Sequence, residues 1–162
     1  KIAENQKFKD LTIDVLENLE DELKKNREDD LHSIVILDDV GSQLRKSAVV
    51  EKKLAQMLQN RRHLFCSFIC LLQRWKDAPP SMRSNISHFT TFRPKNVKES
   101  LAITDELLPF GSKKNAQVMS HVFDDLSTKF PFLLVDMSLR ESNRYLFYSG
   151  FNQMIIDDPE QA

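Results

Sequence analysis

The sequence predicts an α/β fold in which a mainly parallel sheet is flanked by helices. Two short apolar runs, within 33–40 and 64–72, are typical of central strands that are buried on both faces. A helical pattern over 46–60 lies between them, so the order is strand, helix, strand. At this spacing we expect a right-handed crossover that joins two parallel strands, which are neighbours or one strand apart.

Further helices and strands complete the predicted fold. Residues 7–27 carry an apolar stripe at helical spacing, and 96–108 begin at Asn96 with Glu99 three positions later, as in a capping box. Residues 74–83 contain two adjacent prolines and predict a loop with at most one helical turn. The other predicted elements are a third strand over 86–92, a helix over 115–129 and a C-terminal antiparallel hairpin formed by 131–137 and 144–149.

Length, charge and cysteine usage narrow the class of protein. The chain has 162 residues, which fits a single domain over 1–162. Its formal net charge is −1, so any nucleic-acid contact must come from local basic patches. No apolar run approaches the ~20 residues of a membrane span. Cys66 and Cys70 lie four apart in one apolar run and are interpreted as reduced core residues of an intracellular protein.

Polar side chains stand where each of the two predicted parallel strands ends. Asp38 and Asp39 close the first strand, Gly41-Ser42 then predicts a tight exit, and Gln73 closes the second strand. Adjacent carboxylates are costly to bury unless they meet a cation or a hydrogen-bond donor. Ligands of open α/β sheets bind at the carboxyl ends of the strands, so this edge is the predicted site. A simple Asp-Asp turn or helix N-cap is the alternative.

The motifs around these residues resemble the second half of an FtsK–HerA-type P-loop ATPase. The resemblance rests on Ile34–Asp39, Arg62-His63, the strand ending at Gln73, and Met82-Arg83-Ser84-Asn85 before another strand. It is closest to the DNA-packaging ATPases of large nucleocytoplasmic DNA viruses, of the poxvirus and giant-virus type. The matching segment covers about 30–95. It implies a RecA-like P-loop core of which this chain is the part from Walker B to the C-terminus.

The resemblance implies specific roles for five residues. Asp38 matches the Walker B acid that holds Mg²⁺ through water, and Asp39 matches the second acid, the candidate general base. Gln73 matches the polar sensor near the γ-phosphate of ATP and the attacking water. Arg83 stands where the family carries an arginine that acts on a neighbouring subunit's nucleotide, and Asn85 belongs to the same nucleotide-binding motif. The implied cofactors are ATP and Mg²⁺.

The family's phosphate-binding Walker A loop is missing from this sequence. The three glycines are Gly41, Gly111 and Gly150, and none begins a Gly-x-x-x-x-Gly-Lys-Ser/Thr motif. The fold is therefore expected to be incomplete at the N-terminus. We expect this polypeptide alone to bind ATP weakly or not at all, and ATP hydrolysis to belong to the complete protein.

The function implied by the resemblance is ATP-driven translocation of double-stranded DNA into viral capsids. The implied partners are duplex DNA, capsid or portal components, and further copies of the chain in a ring, by resemblance a hexamer. The implied location is the virion and the viral factory of the host cytoplasm. Basic side chains on central loops could grip phosphates without reading sequence. The candidate DNA contacts are Arg93, Lys95, Lys98, Lys113 and Lys114, with an ordinary solvated face as the alternative.

Two other functions compete with the translocase. The first is a non-catalytic DNA-binding or assembly module that has kept the fold and lost nucleotide binding, which the missing glycine-rich loop favours. The second is another intracellular ATP- or Mg²⁺-dependent α/β enzyme in which the Asp-Asp pair arose by chance. Trp75, which stands between two basic residues, is expected to pack under its loop rather than to stack on a base.

Overall fold

The computed structural model describes residues 2–107, 123–124, 132–138, 146–151 and 153–155. The chain divides into two compact units, Lys1–Asn85 and Ile86–Ala162. The single domain over 1–162 stays a prediction. None of the described helices is long and apolar enough to cross a membrane.

The first unit contains four helices and two strands. In chain order they are α1 (Ile13–Glu28), β1 (Ser33–Asp38), α2 (Gly41–Lys46), α3 (Ala48–Gln59), β2 (Cys66–Leu71) and α4 (Pro80–Arg83), with 3₁₀ turns at Glu4–Gln6 and Trp75–Asp77.

The predicted strand–helix–strand unit is confirmed. Strands β1 and β2 are parallel neighbours, and their register pairs Ser33 with Cys66 at one end and Asp38 with Leu71 at the other. Helix α3 lies in the connection between them, as the spacing predicted. The two short turns at 75–77 and 80–83 occupy the segment that was expected to be mostly loop.

Capping side chains explain where helices α1 and α3 begin. Helix α1 starts at Ile13, not at residue 7, because the Thr12 hydroxyl accepts a hydrogen bond from the Val15 amide at 3.3 Å. Ser47 caps α3 in the same way by accepting from the amide of Val50 at 3.4 Å. The predicted helix over 46–60 thus begins two residues later.

The helix that begins at the tight exit Gly41-Ser42 was not predicted. Helix α2 begins at Gly41, and its Leu44 side chain is 1% exposed within the core. Burial of this leucine explains why the segment turns at once into a helix, because tertiary packing overrides the weak helix propensity of Gly and Ser.

The core of the first unit lies between one face of the β1–β2 sheet and helices α1 and α3. The apolar runs predicted that both faces of these strands are buried, and that prediction was wrong. Val35 and Leu37 face the core, whereas Ile34 and Ile36 are 63% and 52% exposed. Ile69 and Leu71 of β2 are also about half exposed, so alternation along both strands gives the sheet one covered and one exposed apolar face.

The second unit is built on an antiparallel sheet. Its elements are β3 (His88–Phe92), α5 (Val97–Leu107), β4 (Phe132–Asp136), β5 (Leu146–Ser149) and β6 (Gln153–Ile155), and the strand order is β3-β4-β5-β6. The hairpin predicted from 131–137 and 144–149 is confirmed as β4 and β5. The third predicted strand is β3, and it pairs with β4. Strand β6 was not predicted.

One of the two hydrogen bonds of the predicted capping box before α5 is confirmed, the one that Asn96 accepts. Asn96 Oδ1 accepts a hydrogen bond from the Glu99 amide at 2.9 Å. Phe123 and Asp124 are helical, and the rest of the helix predicted over 115–129 lies outside the described residues.

Truncation of Leu54 tests the core of the first unit. This side chain is fully buried, so Leu54→Ala should lower the free energy of unfolding by about 2–5 kcal/mol, through lost burial and the cavity left behind. Val49 lies on the same helix and is 63% exposed, so Val49→Ala is the matched control and should change stability by less than about 0.5 kcal/mol. Urea unfolding followed by circular dichroism measures both, and equal effects would contradict this core.

Acid titration tests the ion pair that joins α1 to α3. The hydrogen bond from Lys53 holds the pKa of Glu20 below its ordinary value of 4.5. Stability from this pair is therefore present above pH 4.5 and is lost as the pH falls through the lower folded pKa. Glu20→Gln should lose less stability than the wild type over that acid range. Identical pH dependence of the two unfolding free energies would contradict the pairing.

Candidate functional site

Asp38 and Asp39 lie at the carboxyl end of β1, where the strand leaves the sheet. The Asp39 amide donates to the Leu71 carbonyl at 3.0 Å, so the ladder with β2 continues one residue beyond the strand. Asp39 then takes a left-handed backbone conformation with φ of 52°. Aspartate tolerates this region better than most residues with a side chain. Both carboxylates are exposed, so a ligand can reach them.

Gln73 meets Asp39 at this edge of the sheet. It lies two residues after β2, and its Nε2 donates a hydrogen bond to Asp39 Oδ2 at 2.9 Å. The structure therefore brings together side chains that are 34 positions apart in sequence. The catalytic and nucleotide-binding roles given to Asp38, Asp39 and Gln73 stay predictions.

A further acid, Asp77, lies in the 3₁₀ turn that follows Gln73 and was not predicted from the sequence. Its side chain is 9% exposed and receives hydrogen bonds from Arg74 and from Arg45 of α2. Burial alone would raise the pKa of Asp77, but the bonds from Arg74 and Arg45 outweigh it and hold the pKa below 3.8. The only sequence signal was the i, i+3 spacing of Arg74 and Asp77, which is common in turns.

Arg83 and Asn85 make contacts within their own turn. The Arg83 guanidinium carbon lies 5.6 Å from the centre of the Trp75 ring, and Nη1 donates to the Ala78 carbonyl at 3.0 Å. Asn85 Nδ2 donates to the Ser81 carbonyl at 2.8 Å. Trp75 is 5% exposed, which confirms that it packs under its loop. The nucleotide-directed roles of Arg83 and Asn85 stay predictions.

The predicted DNA-contacting residues fall in the second unit. Arg93, Lys95 and Lys98 are exposed around the start of α5, and Arg93 forms an ion pair with Asp124. Lys113 and Lys114 lie outside the described residues. Their contacts with DNA stay predictions.

The described residues contain no group of three or more His, Cys, Asp or Glu side chains that could hold a metal ion. Mg²⁺ does not need such a cage, because it keeps several waters and uses one or two carboxylates together with substrate phosphates. The exposed carboxylates of Asp38 and Asp39 fit that kind of site.

The cysteines do not contribute to this site. Cys66 and Cys70 are both free thiols. Burial raises the pKa of each to about 11, so they are protonated at neutral pH and are poor nucleophiles. They serve as small core residues of β2.

Relatives of the chain are viral proteins named for DNA packaging. The DNA packaging protein OPG160 of variola virus is 37% identical over 68 residues, which are 42% of this chain and 24% of that protein. OPG160 of vaccinia virus, strain Copenhagen, matches to the same extent. OPG160 of monkeypox virus is 37% identical over 68 residues, or 21% of its length. The matched segment thus spans about a quarter or less of these relatives.

Two solved structures share the fold. The DNA-packaging ATPase B204 of Sulfolobus turreted icosahedral virus superimposes with a TM-score of 0.61 at 18% identity, over 86% of this chain and 62% of that chain. The genome packaging NTPase B204 of Sulfolobus turreted icosahedral virus 2, in complex with AMPPCP, gives 0.56 at 16% identity, over 89% and 62%. These similarities confirm the α/β packaging-ATPase fold that the sequence predicted.

A family model covers almost the whole chain. The model described as poxvirus A32 protein matches residues 1–156. This match and the similarity to OPG160 agree with the resemblance that was based on Ile34–Asp39, Gln73 and Arg83. The chain belongs to the poxvirus A32 protein family.

Proposed function

We propose that this chain supplies the acid and sensor residues of an ATP-hydrolysing site that drives double-stranded DNA into a viral capsid. The proposal rests on the hydrogen bond between Gln73 and Asp39. This bond lies beside Asp38, at the ends of two adjacent parallel strands. The names of the OPG160 relatives and of the B204 structures support the packaging role. Because the chain matches only part of each relative, the activity is proposed for the complete protein.

The geometry suits activation of a water molecule by Asp39. Its carboxylate is exposed, and one oxygen, Oδ2, accepts a hydrogen bond from Gln73. That bond fixes the orientation of the carboxylate, and the second oxygen remains available to take a proton from the attacking water. The Gln73 carbonyl oxygen is a further acceptor that can align the same water toward the γ-phosphate.

Asp38 is the proposed ligand for Mg²⁺, through a water molecule. Mg²⁺ would neutralise charge on the β- and γ-phosphates of bound ATP. Asp38 lies one residue before the general base and on the exposed face of the sheet, so it can serve the phosphates without entering the Asp39–Gln73 hydrogen bond. The complex of a B204 protein with AMPPCP supports nucleotide binding by this fold.

Translocation needs contacts with DNA and between subunits. We assign the DNA contacts to Arg93, Lys95 and Lys98, whose exposed side chains suit phosphate binding without sequence readout. Asp124 already neutralises part of the Arg93 charge, so the two lysines should contribute more of the salt dependence of DNA binding. The proposed assembly is a homo-oligomeric ring, by family resemblance a hexamer, acting with capsid or portal components.

Neutralising Asp39 should abolish hydrolysis in the complete protein. Asparagine occupies the left-handed region as readily as aspartate and keeps a side-chain acceptor for Gln73, so Asp39→Asn removes the base with little change in backbone. We expect kcat to fall by about 10²–10⁴-fold, with ATP binding almost unchanged. Phosphate release and fluorescent-nucleotide titration measure the two quantities. Wild-type turnover in this variant would exclude Asp39 as the base.

Asp38→Asn is the companion variant and should behave differently. Its main effect should be a weaker Mg²⁺-dependent increase in nucleotide affinity, because a neutral amide is a poorer partner for the hydrated cation. Titrations with and without Mg²⁺ separate this effect from loss of hydrolysis. If affinity for ATP depends on Mg²⁺ as in the wild type, Asp38 does not hold the metal.

A mixing experiment tests whether Arg83 acts on a neighbouring subunit. Arg83→Ala subunits, which keep Asp39, are combined with Asp39→Asn subunits, which keep Arg83. If Arg83 acts in trans, some interfaces pair an intact base with an intact arginine, and part of the ATPase activity should return. If the mixture is as inactive as each parent while rings still form, the trans-acting role is wrong, and Arg83 is either a sensor within its own subunit or a structural residue that packs on Trp75.

A further inference from the structure

Asp77 connects the two segments that follow β1 and β2. Arg45 of α2, which follows β1, donates to Asp77 Oδ1. Arg74, which follows β2, donates to the same carboxylate through Nη2 at 2.9 Å to Oδ1 and through Nε at 3.2 Å to Oδ2. One carboxylate therefore bridges α2 and the turn after β2, and both of its oxygens are used.

Backbone packing brings the same two segments into direct contact. A Cβ atom added to Gly41 would lie 2.7 Å from Asp77 Cβ and 3.4 Å from its carbonyl oxygen. Only glycine at the first position of α2 allows this approach, because a Cβ carbon at 2.7 Å would overlap the side chain. The Asp77 turn thus lies against α2 at van der Waals distance.

These contacts lie close in sequence to the hydrogen-bonded pair of the site. Gly41 is two residues after Asp39, and Arg74 is the residue after Gln73. The bridge and the Asp39–Gln73 pair therefore lie on the same two short chain segments, one after β1 and one after β2. If the bridge opens, the turn that carries Gln73 can move away from β1 by a change in its own backbone.

We propose that Asp77 is a positioning residue that keeps the Gln73 amide within hydrogen-bond distance of Asp39. Its effect on catalysis rests on the proposed ATPase function, whereas its effect on the Gln73–Asp39 bond does not. The competing explanation is an ion pair that stabilises the fold without influence on Gln73. Glu20–Lys53 is such a pair, since it joins α1 to α3 and both side chains are 22% exposed.

The direct test follows the Gln73 side-chain amide by nuclear magnetic resonance in the 162-residue chain. Asp39→Gly removes the acceptor without backbone strain at φ of 52°, and it defines the signals of a Gln73 amide that has lost its bond. Asp77→Asn and Arg45→Ala should both move the wild-type Gln73 signals toward these positions. Arg45 is about half exposed, so its variant should keep the fold even if Asp77→Asn does not.

Two controls separate positioning from general stability. Lys53→Ala should lower the unfolding free energy but leave the Gln73 amide signals unchanged. Arg45→Lys keeps a cation beside Asp77 and should restore most of the wild-type signal. Unchanged Gln73 signals in folded Arg45→Ala, or an equal change in Lys53→Ala, would overturn the proposal.

The kinetic consequence is measured in the full-length protein. Asp77→Asn and Arg45→Ala should lower kcat by about 10- to 100-fold with little change in KM, because a sensor displaced by ~1 Å no longer aligns the water. A full-length wild type that does not hydrolyse ATP would contradict the proposed function and leave the resonance result intact. Wild-type kcat in both variants, with shifted Gln73 signals, would overturn the catalytic part of this inference.

Discussion

The parallel pairing of β1 with β2 is the constraint on which the candidate site depends. The ladder aligns Asp38 with Leu71 and continues through the Asp39 amide to the Leu71 carbonyl, so both strands end at the same level. Gln73 needs only two more residues to reach Asp39. A slip of one residue would turn every side chain of a strand to the opposite face, and burial of Leu37 and Cys66 opposes it.

The three acids of this region, Asp38, Asp39 and Asp77, differ in their exposure and in their hydrogen-bond partners. Asp38 and Asp39 are exposed, whereas Asp77 is buried and receives hydrogen bonds from Arg45 and Arg74. A carboxylate held by two guanidinium groups is a poor ligand for a cation and a poor base, because its oxygens already accept strong hydrogen bonds. Asp77 is therefore held by its two arginines, whereas Asp38 and Asp39 are left exposed at the edge of the sheet.

Local patterns predicted much of this structure because periodicity and capping are local properties. The β1–α3–β2 unit, the C-terminal hairpin and the shared edge of Asp39 and Gln73 follow from spacing alone. The contacts that α2 makes with the core and with Asp77 did not follow from these patterns. The burial of Leu44 that makes α2 a helix, and the bond between Arg45 and Asp77, 32 positions apart, depend on packing that no window of sequence contains. The continuous apolar runs of β1 and β2 likewise did not predict that one face of their sheet is exposed.

The backbone at Asp39 explains how two adjacent acids come to have different surroundings. Side chains alternate along β1, so Asp38 shares the exposed face of Ile34 and Ile36. A regular strand would direct Asp39 to the opposite, core-facing side, where an unpaired carboxylate is costly. The left-handed conformation with φ of 52° breaks the alternation, and Asp39 meets the Gln73 amide at the sheet edge instead. The two carboxylates therefore lie in different surroundings: Asp38 is exposed on the open face of the sheet, whereas Asp39 accepts a hydrogen bond from Gln73.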